Sequence, residues 1–131
     1  MRWRAGALVG TGLLAPALSV RAQRADAPVE WLPAADSLPA HLATLVIVDR
    51  EDRTPVAHPW ICVDPDGAWM LGMPDGRGRF SRGDLGDTIR LRISGPWHEP
   101  RAVALPWARL EGRGAVIPLN RRSGGRVEPA C

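Results

Sequence analysis

Two cysteines, Cys62 and Cys131, are the side chains of this chain most suited to forming a covalent bond with each other. An even number of cysteines favours a disulfide when a protein is exported, because the compartments outside the cytoplasm are oxidising. A bridge between residues so far apart could stabilise the fold by about 4 kcal/mol on the chain-entropy model. Two alternatives stay open. Cys131 follows Gly124-Gly125 and could pair with another chain, or Cys62 could be a buried small apolar residue and Cys131 a free thiol.

Histidine and methionine provide a second set of reactive groups, since imidazole and thioether groups are ligands for copper. The candidates, with the Cys62 thiol, are His41, His58, His98, Met70 and Met73. Blue-copper proteins usually have His and then Met soon after the ligand cysteine, but no His lies between Cys62 and Met70. This spacing favours core methionines and loop histidines, so we predict no metal site and no cofactor. A small periplasmic copper-type protein with His and Met ligands is the alternative function.

All 17 strongly basic residues of the chain are arginines. Guanidinium groups bind carboxylates and phosphates through paired hydrogen bonds, so a row of them on a sheet is a candidate binding surface. Such a row could be formed by Arg79, Arg82, Arg90 and Arg92. We predict that Arg79, Arg90 and Arg92 bind a partner. A solvated face balanced by Asp84 and Asp87 is the alternative.

Tryptophan is frequent for a chain of this size, with six Trp against one Phe. Trp60 or Trp69 suits the core, whereas Trp97 and Trp107 lie beside prolines in predicted loops. An exposed loop Trp can bind a sugar or a protein, and anchoring of the loop is the alternative. We therefore predict that Trp97 and Trp107 contribute to partner binding.

No combination of side chains indicates catalysis. The chain has no Gly-x-Ser-x-Gly motif, and no serine stands in a His and acid pattern that marks a nucleophile. The absence of lysine excludes Schiff-base and phosphate-loop chemistry that depends on that residue. His98 and Glu99 are adjacent, and adjacent side chains of an extended strand face opposite sides. We predict that the protein is not an enzyme.

The N-terminus predicts export to the periplasm or the medium. Arg2 and Arg4 precede the uncharged run Ala5–Val20, and Val20-Arg21-Ala22 has small residues at the positions that signal peptidase reads. We predict a cleaved signal peptide over residues 1–22, because the run is shorter than the roughly 20 apolar residues of a membrane span. Removing its three arginines from the 17 leaves 14 against 14 acidic residues. A near-neutral mature chain does not favour nucleic-acid binding.

The remaining sequence predicts an extended leader over residues 23–41 and one all-β domain over residues 42–131. The leader is rich in Ala, Pro and Asp, whereas the domain alternates short apolar runs with Pro, Asp and Gly turns. Seven strands are predicted at Leu42–Val48, Trp60–Val63, Ala68–Met73, Arg79–Ser81, Thr88–Ser94, Ala102–Leu105 and Ala115–Leu119. This spacing, with no helix, is typical of an antiparallel β-sandwich. In the clearest strand, Ile89, Leu91 and Ile93 share one face, and Arg90 and Arg92 share the other.

The order of strands and turns resembles the carboxypeptidase regulatory-like, or transthyretin-like, β-sandwich family. That family has an apolar V-x-V-x-D strand, a G-x-P-V turn, a D-x-x-G-x-F segment and an alternating strand before a Gly. The matching residues are Val46, Val48, Asp49, Pro55, Val56, Asp75, Gly78, Phe80, Leu91, Ile93 and Gly95, whereas Arg53 replaces the usual turn Gly. The resemblance implies an accessory module. We therefore predict a non-catalytic binding or structural module at the cell envelope, with an envelope protein or glycan as partner.

Overall fold

The computed structural model describes residues 24–64, 68–71 and 75–126, which form mostly β structure. In chain order the strands are β1 (Glu30–Leu32), β2 (Leu42–Asp49), β3 (Trp60–Asp64), β4 (Ala68–Leu71), β5 (Arg77–Ser81), β6 (Thr88–Gly95), β7 (His98–Pro106) and β8 (Gly114–Leu119). One short helix, α1 (Trp107–Leu110), lies between β7 and β8. The predicted signal peptide, residues 1–22, lies outside the described residues. None of the described helical structure is long and apolar enough to span a membrane.

The strands form two four-stranded sheets, which confirms the all-β prediction. The first sheet has the order β1-β8-β2-β5 and the second has the order β4-β3-β6-β7. Every named pair is antiparallel except β2 and β8, which run parallel from Thr44 opposite Gly114 to Asp49 opposite Leu119. The prediction of purely antiparallel pairing is wrong at this one place. The alternation of apolar and polar residues shows which side chains of a strand share a face. It does not show which distant segment of the chain pairs with that strand.

The parallel pair depends on a close approach of two backbones at its first residue. A Cβ atom built on Gly114 would lie 2.4 Å from the carbonyl oxygen of Thr44, closer than any real Cβ contact. Only glycine fits this position without a shift of the backbone. Gly114 therefore allows β8 to insert between β1 and β2.

Both sheets contribute to one apolar core. In β6 the burial alternates as predicted, with Ile89, Leu91 and Ile93 buried and Arg90 and Arg92 exposed. The core also contains Ala43, Leu45 and Ile47 of β2, Ile61 and Val63 of β3, Phe80 of β5, Leu105 of β7, and Ala115, Ile117 and Leu119 of β8. Burial of each large apolar side chain contributes about 1.5–3 kcal/mol. This shared core holds the two sheets together and fixes the direction of every outward side chain.

Two elements were not predicted from the sequence. The leader contributes β1, which pairs with β8 from Glu30 opposite Val116 to Leu32 opposite Gly114. A strand of three residues is too short to show alternation, so the pattern of the leader did not indicate it. The second missed element is α1, a single turn that is too short to show helical periodicity.

Trp107 begins α1 and is buried, with 7% of its surface exposed. Its ring meets the Phe80 ring edge-to-face at a centroid distance of 5.9 Å. The expectation that Trp107 lies exposed in a loop as a partner-binding residue is therefore wrong. Its indole fills the core where α1 closes against the sheets.

Candidate functional site

The outer face of the second sheet carries the arginines that the alternation of β6 directs away from the core. Arg92 lies between Cys62 of β3 and Ala102 of β7 in the strand register. Arg90 lies between Asp64 of β3 and Ala104 of β7. We call the surface formed by Arg90, Arg92, Ala102 and Ala104 the arginine face. All four of its residues are exposed.

The two arginines of this face form no ion pair and no side-chain hydrogen bond with any described residue. Asp64 is the acidic neighbour of Arg90 across the strands, yet its carboxylate does not approach within ion-pair distance. In the strand register, Arg92 lies between Cys62 and Ala102, neither of which is an acid. Elsewhere, ion pairs are formed by Arg24, Arg53, Arg77, Arg82, Arg101, Arg121 and Arg122. The guanidiniums of the arginine face are therefore available to an anionic ligand.

Arg79 does not belong to the same surface. It lies on β5 in the first sheet, exposed and opposite Thr44 of β2, whereas β6 lies in the second sheet. Arg82 is bound to Asp87 at 2.8 Å. The expectation of one stripe from Arg79 to Arg92 is therefore wrong, because β5 pairs with β2 rather than with the strands around β6.

Trp97 lies in the turn between β6 and β7, at one end of the hairpin that carries the arginine face. Its side chain is 57% exposed, and it is the one exposed large apolar side chain among the described residues. Its position in a loop agrees with the sequence, and its contribution to partner binding stays a prediction. The backbone holds this turn, since the N–H of Arg122 donates to the carbonyl oxygen of Trp97 at 2.8 Å. Trp97 thus offers an apolar contact at a fixed position.

Cys62 is buried in β3, with 4% of its surface exposed, although its register places it on the outward side beside Arg92. Its predicted partner, Cys131, lies outside the described residues. The disulfide therefore stays a prediction.

The predicted soft ligands are not gathered in the described part of the chain. His41 and His58 are exposed, and His98 is bound to Asp49. No group of three His, Cys, Asp or Glu side chains in this part of the chain is placed to hold a metal ion. The side chains of Met70 and Met73 lie outside the described set, so the copper-type alternative stays a prediction.

A second region of interest is an ionic cluster at one end of the fold, formed by Asp49, Glu51, Asp52, His98 and Arg121. Asp49 is buried at the end of β2, and its Oδ1 accepts the N–H groups of Glu51 and Asp52 at 2.8 and 3.2 Å. Its Oδ2 accepts His98 Nε2 and Arg121 Nε, each at 2.8 Å. One carboxylate thus joins the turn after β2, the start of β7 and the segment after β8.

The hydrogen bonds at Asp49 decide its charge. Burial by itself raises the pKa of the Asp49 carboxyl, but the bonds from Arg121, His98 and the two backbone N–H groups outweigh it. Its pKa therefore lies well below the usual value of 3.8. Arg121 also contacts Glu51 at 3.1 Å and Asp52 at 2.7 Å, so each of its three guanidinium nitrogens pairs with one acid of this cluster.

The Asp49–His98 pair resembles the orienting half of a catalytic relay, but its surroundings do not supply the other half. Because an ionised carboxylate can only accept, Nε2 of His98 carries the proton. The other ring nitrogen, Nδ1, is buried and has no hydrogen-bond partner among the described residues. No described hydroxyl or thiol therefore forms the hydrogen bond to this nitrogen that would mark a nucleophile activated by His98. Together with Arg121, the pair joins three segments of the chain to one another.

This cluster was not predictable from the sequence, because its members are distant in the chain. Asp49 and His98 are 49 positions apart, and Asp49 and Arg121 are 72 positions apart. The charged run from Asp49 to Asp52 suggested only the end of a strand. The one usable signal was Asp49 itself, an acid that directly continues an apolar strand.

No protein-family model, curated protein or solved structure matches this chain. The resemblance to the carboxypeptidase regulatory-like family therefore rests on the sequence motifs and stays a prediction.

Proposed function

We propose that this chain is a non-catalytic, exported binding module that holds an anionic protein or glycan of the cell envelope on its arginine face. The observation that carries the proposal is the pair of arginines, Arg90 and Arg92, which project from a sheet without an ion-pair partner in the described chain. Export follows from the predicted signal peptide over residues 1–22.

The sheet prepares these two arginines for binding. β6 is paired on both sides, by β3 and by β7, so the backbone below Arg90 and Arg92 is fixed. Residues two apart on a strand point to the same side and lie about 7 Å apart, a spacing that suits successive anionic groups of an extended ligand. Ala102 and Ala104 of β7, beside the two arginines, have short side chains that do not cover the two guanidinium groups. A planar guanidinium in such a place can bind a carboxylate or phosphate through two hydrogen bonds.

Trp97 extends the proposed surface at the end of the same hairpin. Exposed tryptophan is frequent at sites where proteins and sugars bind, because its ring offers a large rigid apolar area. A ligand that contacts both Trp97 and the arginines would run along β6. This arrangement supports a linear anionic partner rather than a small ion.

The proposal is tested by capture of envelope components on three immobilised forms of the mature protein. The forms are the wild type, the double variant Arg90→Ala/Arg92→Ala and the matched control Arg79→Ala/Arg113→Ala. The control removes two exposed arginines that also lack ion pairs with described residues, so both variants carry the same net charge. Circular dichroism first establishes that all three forms are folded.

We expect the wild type and the control to retain the same component, and the Arg90/Arg92 variant to lose it. The retained component should be released by salt, since exposed ion pairs are screened at high ionic strength. Equal retention by all three forms would contradict the proposal, as would the absence of any salt-sensitive component on the wild type.

A further inference from the structure

The free edge of the second sheet lies next to the arginine face. Within the described residues, β7 pairs with β6 along one side, and on its other side the only pairing is the isolated bridge of His98 with Arg121. In the described chain, neither a strand pairing nor a turn or loop hydrogen bond joins the backbone of Arg101–Leu105 to anything other than β6. Alternate residues of an antiparallel edge strand direct their N–H and C=O groups away from the sheet. This segment therefore presents backbone groups that another strand could pair with.

Two prolines limit the length of this open edge. Pro100 and Pro106 stand on either side of Arg101–Leu105 and have no N–H to donate. Trp107 donates its N–H to Asp87, and Glu99 donates its N–H to Asn120, so the chain is already bound beyond both prolines. A strand that adds to the edge would pair over the short segment between them.

The side chains beside this edge favour acidic residues on an added strand. Neighbouring strands lie about 4.8 Å apart, so a strand added to β7 would lie roughly 10 Å from β6. Arg92 stands opposite Ala102 and Arg90 stands opposite Ala104, so each guanidinium can extend over a methyl group toward the new strand. Acidic side chains at alternate positions of that strand would all point to this face.

We propose that an extended acidic segment of a partner protein adds to β7 as a further strand and places alternate Asp or Glu side chains on Arg90 and Arg92. This inference rests on the proposed function and names the class of partner. Main-chain hydrogen bonds supply the attachment in such strand addition, and the alternate side chains supply the selectivity. A second copy of this chain fits less well, since pairing β7 with β7 would bring the arginines of both copies onto one face.

The test uses short synthetic peptides and fluorescence anisotropy at low salt. The probe alternates Glu with Thr, which favours an extended strand and places every Glu on one side. A matched peptide has Gln in place of Glu. Two further Glu–Thr peptides carry N-methyl groups on every second amide. One is methylated at the Glu amides and the other at the Thr amides. Each peptide keeps the charge of the probe but lacks the N–H donors on one side of the strand. Hydrogen exchange of the Arg101–Leu105 amides is followed with the probe bound.

We expect the Glu–Thr peptide to bind the wild type about tenfold more tightly than it binds Arg90→Ala/Arg92→Ala. The Gln–Thr peptide should bind the wild type about tenfold more weakly than the Glu–Thr peptide does. The control variant Arg79→Ala/Arg113→Ala should bind the Glu–Thr peptide as tightly as the wild type does. Only one of the two N-methylated peptides should lose affinity, because the two sets of strand amides point to opposite sides. Alternate amides of Arg101–Leu105 should exchange more slowly in the complex.

Other results would overturn the inference in distinguishable ways. If both N-methylated peptides bind as well as the probe while Arg90→Ala/Arg92→Ala does not, the arginine face binds anions without strand addition, and only this inference fails. If an acidic polysaccharide binds through Arg90 and Arg92 and no peptide does, the partner is a glycan. If the protein dimerises and the dimer protects the same amides, a second copy occupies the edge. If no acidic probe depends on the two arginines, the proposed function fails as well.

Discussion

The ionic cluster and the arginine face use arginine in opposite ways. Arg121 contacts three acids, Asp49, Glu51 and Asp52, and through Asp49 it joins segments from distant parts of the chain. Arg92 has the same chemical group, but Cys62 and Ala102 are its neighbours and no described acid pairs with it. In the ionic cluster the charged groups pair with one another and connect parts of the fold. The arginine face leaves its charges unpaired among the described residues, which is why we propose that binding occurs on the sheet surface rather than at the more conspicuous cluster.

The largest expected effect separates the two faces of β6. Leu91 is 1% exposed and lies in the shared core, so Leu91→Ala should leave a cavity and lower the free energy of unfolding by about 2–5 kcal/mol. Arg90→Ala, on the other face, should stay within about 0.5 kcal/mol of the wild type. Urea unfolding of both variants measures the difference. Similar losses would mean that Arg90 takes part in a stabilising network.

The next effect concerns the centre of the ionic cluster. Asp49→Asn should lower the free energy of unfolding by about 2–4 kcal/mol, because a neutral amide cannot accept from His98 and Arg121 as a buried carboxylate does. Asp84→Asn is the matched control, since Asp84 is exposed and forms no ion pair with a described residue. It should be nearly neutral. If Asp49→Asn were as stable as the control, the cluster would not hold the fold.

The same carboxylate predicts how the stability depends on pH. The pKa of Asp49 is lowered in the folded state from its usual value of 3.8, so the unfolded chain takes up this proton first as the solution is acidified. The contribution of Asp49 is therefore complete above about pH 5 and is lost as the pH falls through and below 4. The gap in stability between the wild type and Asp49→Asn should narrow over that range. A gap that stayed constant from pH 6 to pH 2 would contradict the low pKa.

Backbone conformation gives the smallest expected effect. Arg53 has a φ of 62°, in the left-handed region that glycine adopts most readily, and its guanidinium forms two hydrogen bonds with Glu30 at 2.6 and 2.7 Å. Arg53→Gly should relieve the backbone while it loses this exposed pair. Glu30→Gln removes the charge of the pair and leaves the backbone unchanged. We expect the urea midpoint of Arg53→Gly to equal or exceed that of Glu30→Gln. A lower midpoint for Arg53→Gly would show that the ion pair outweighs the strain.

The features that were predictable from the sequence depend on local pattern. The alternation from Thr88 to Ser94 predicted both the core face and the outward arginines of β6, and the prolines near Trp97 predicted the loop in which it lies. The turn at Arg53 was also marked in the sequence, since this arginine stands where the resembling family usually has glycine. Arg53 has a positive φ, the backbone conformation that a glycine at this turn would adopt readily.

The features that were missed depend on contacts between distant segments. Nothing local indicated that β8 would insert parallel to β2 or that Arg79 would lie in a different sheet from Arg92. Trp107 has the same kind of local sequence as an exposed loop Trp, and only the packing of α1 against Phe80 buries it. The ionic cluster follows the same rule, because Asp49 meets its partners only after the sheets assemble.

The most direct test of the contrast between the two regions is capture of the envelope component by Arg92→Ala and by Arg121→Ala. Both variants lose one arginine, and both are compared with the wild type at a temperature at which circular dichroism shows them to be folded. We expect Arg92→Ala to lose the component and to unfold at the urea concentration of the wild type. We expect Arg121→Ala to keep the component and to unfold at a lower urea concentration. Capture that survives Arg92→Ala and fails in folded Arg121→Ala would place the binding site at the ionic cluster and refute binding by the arginine face.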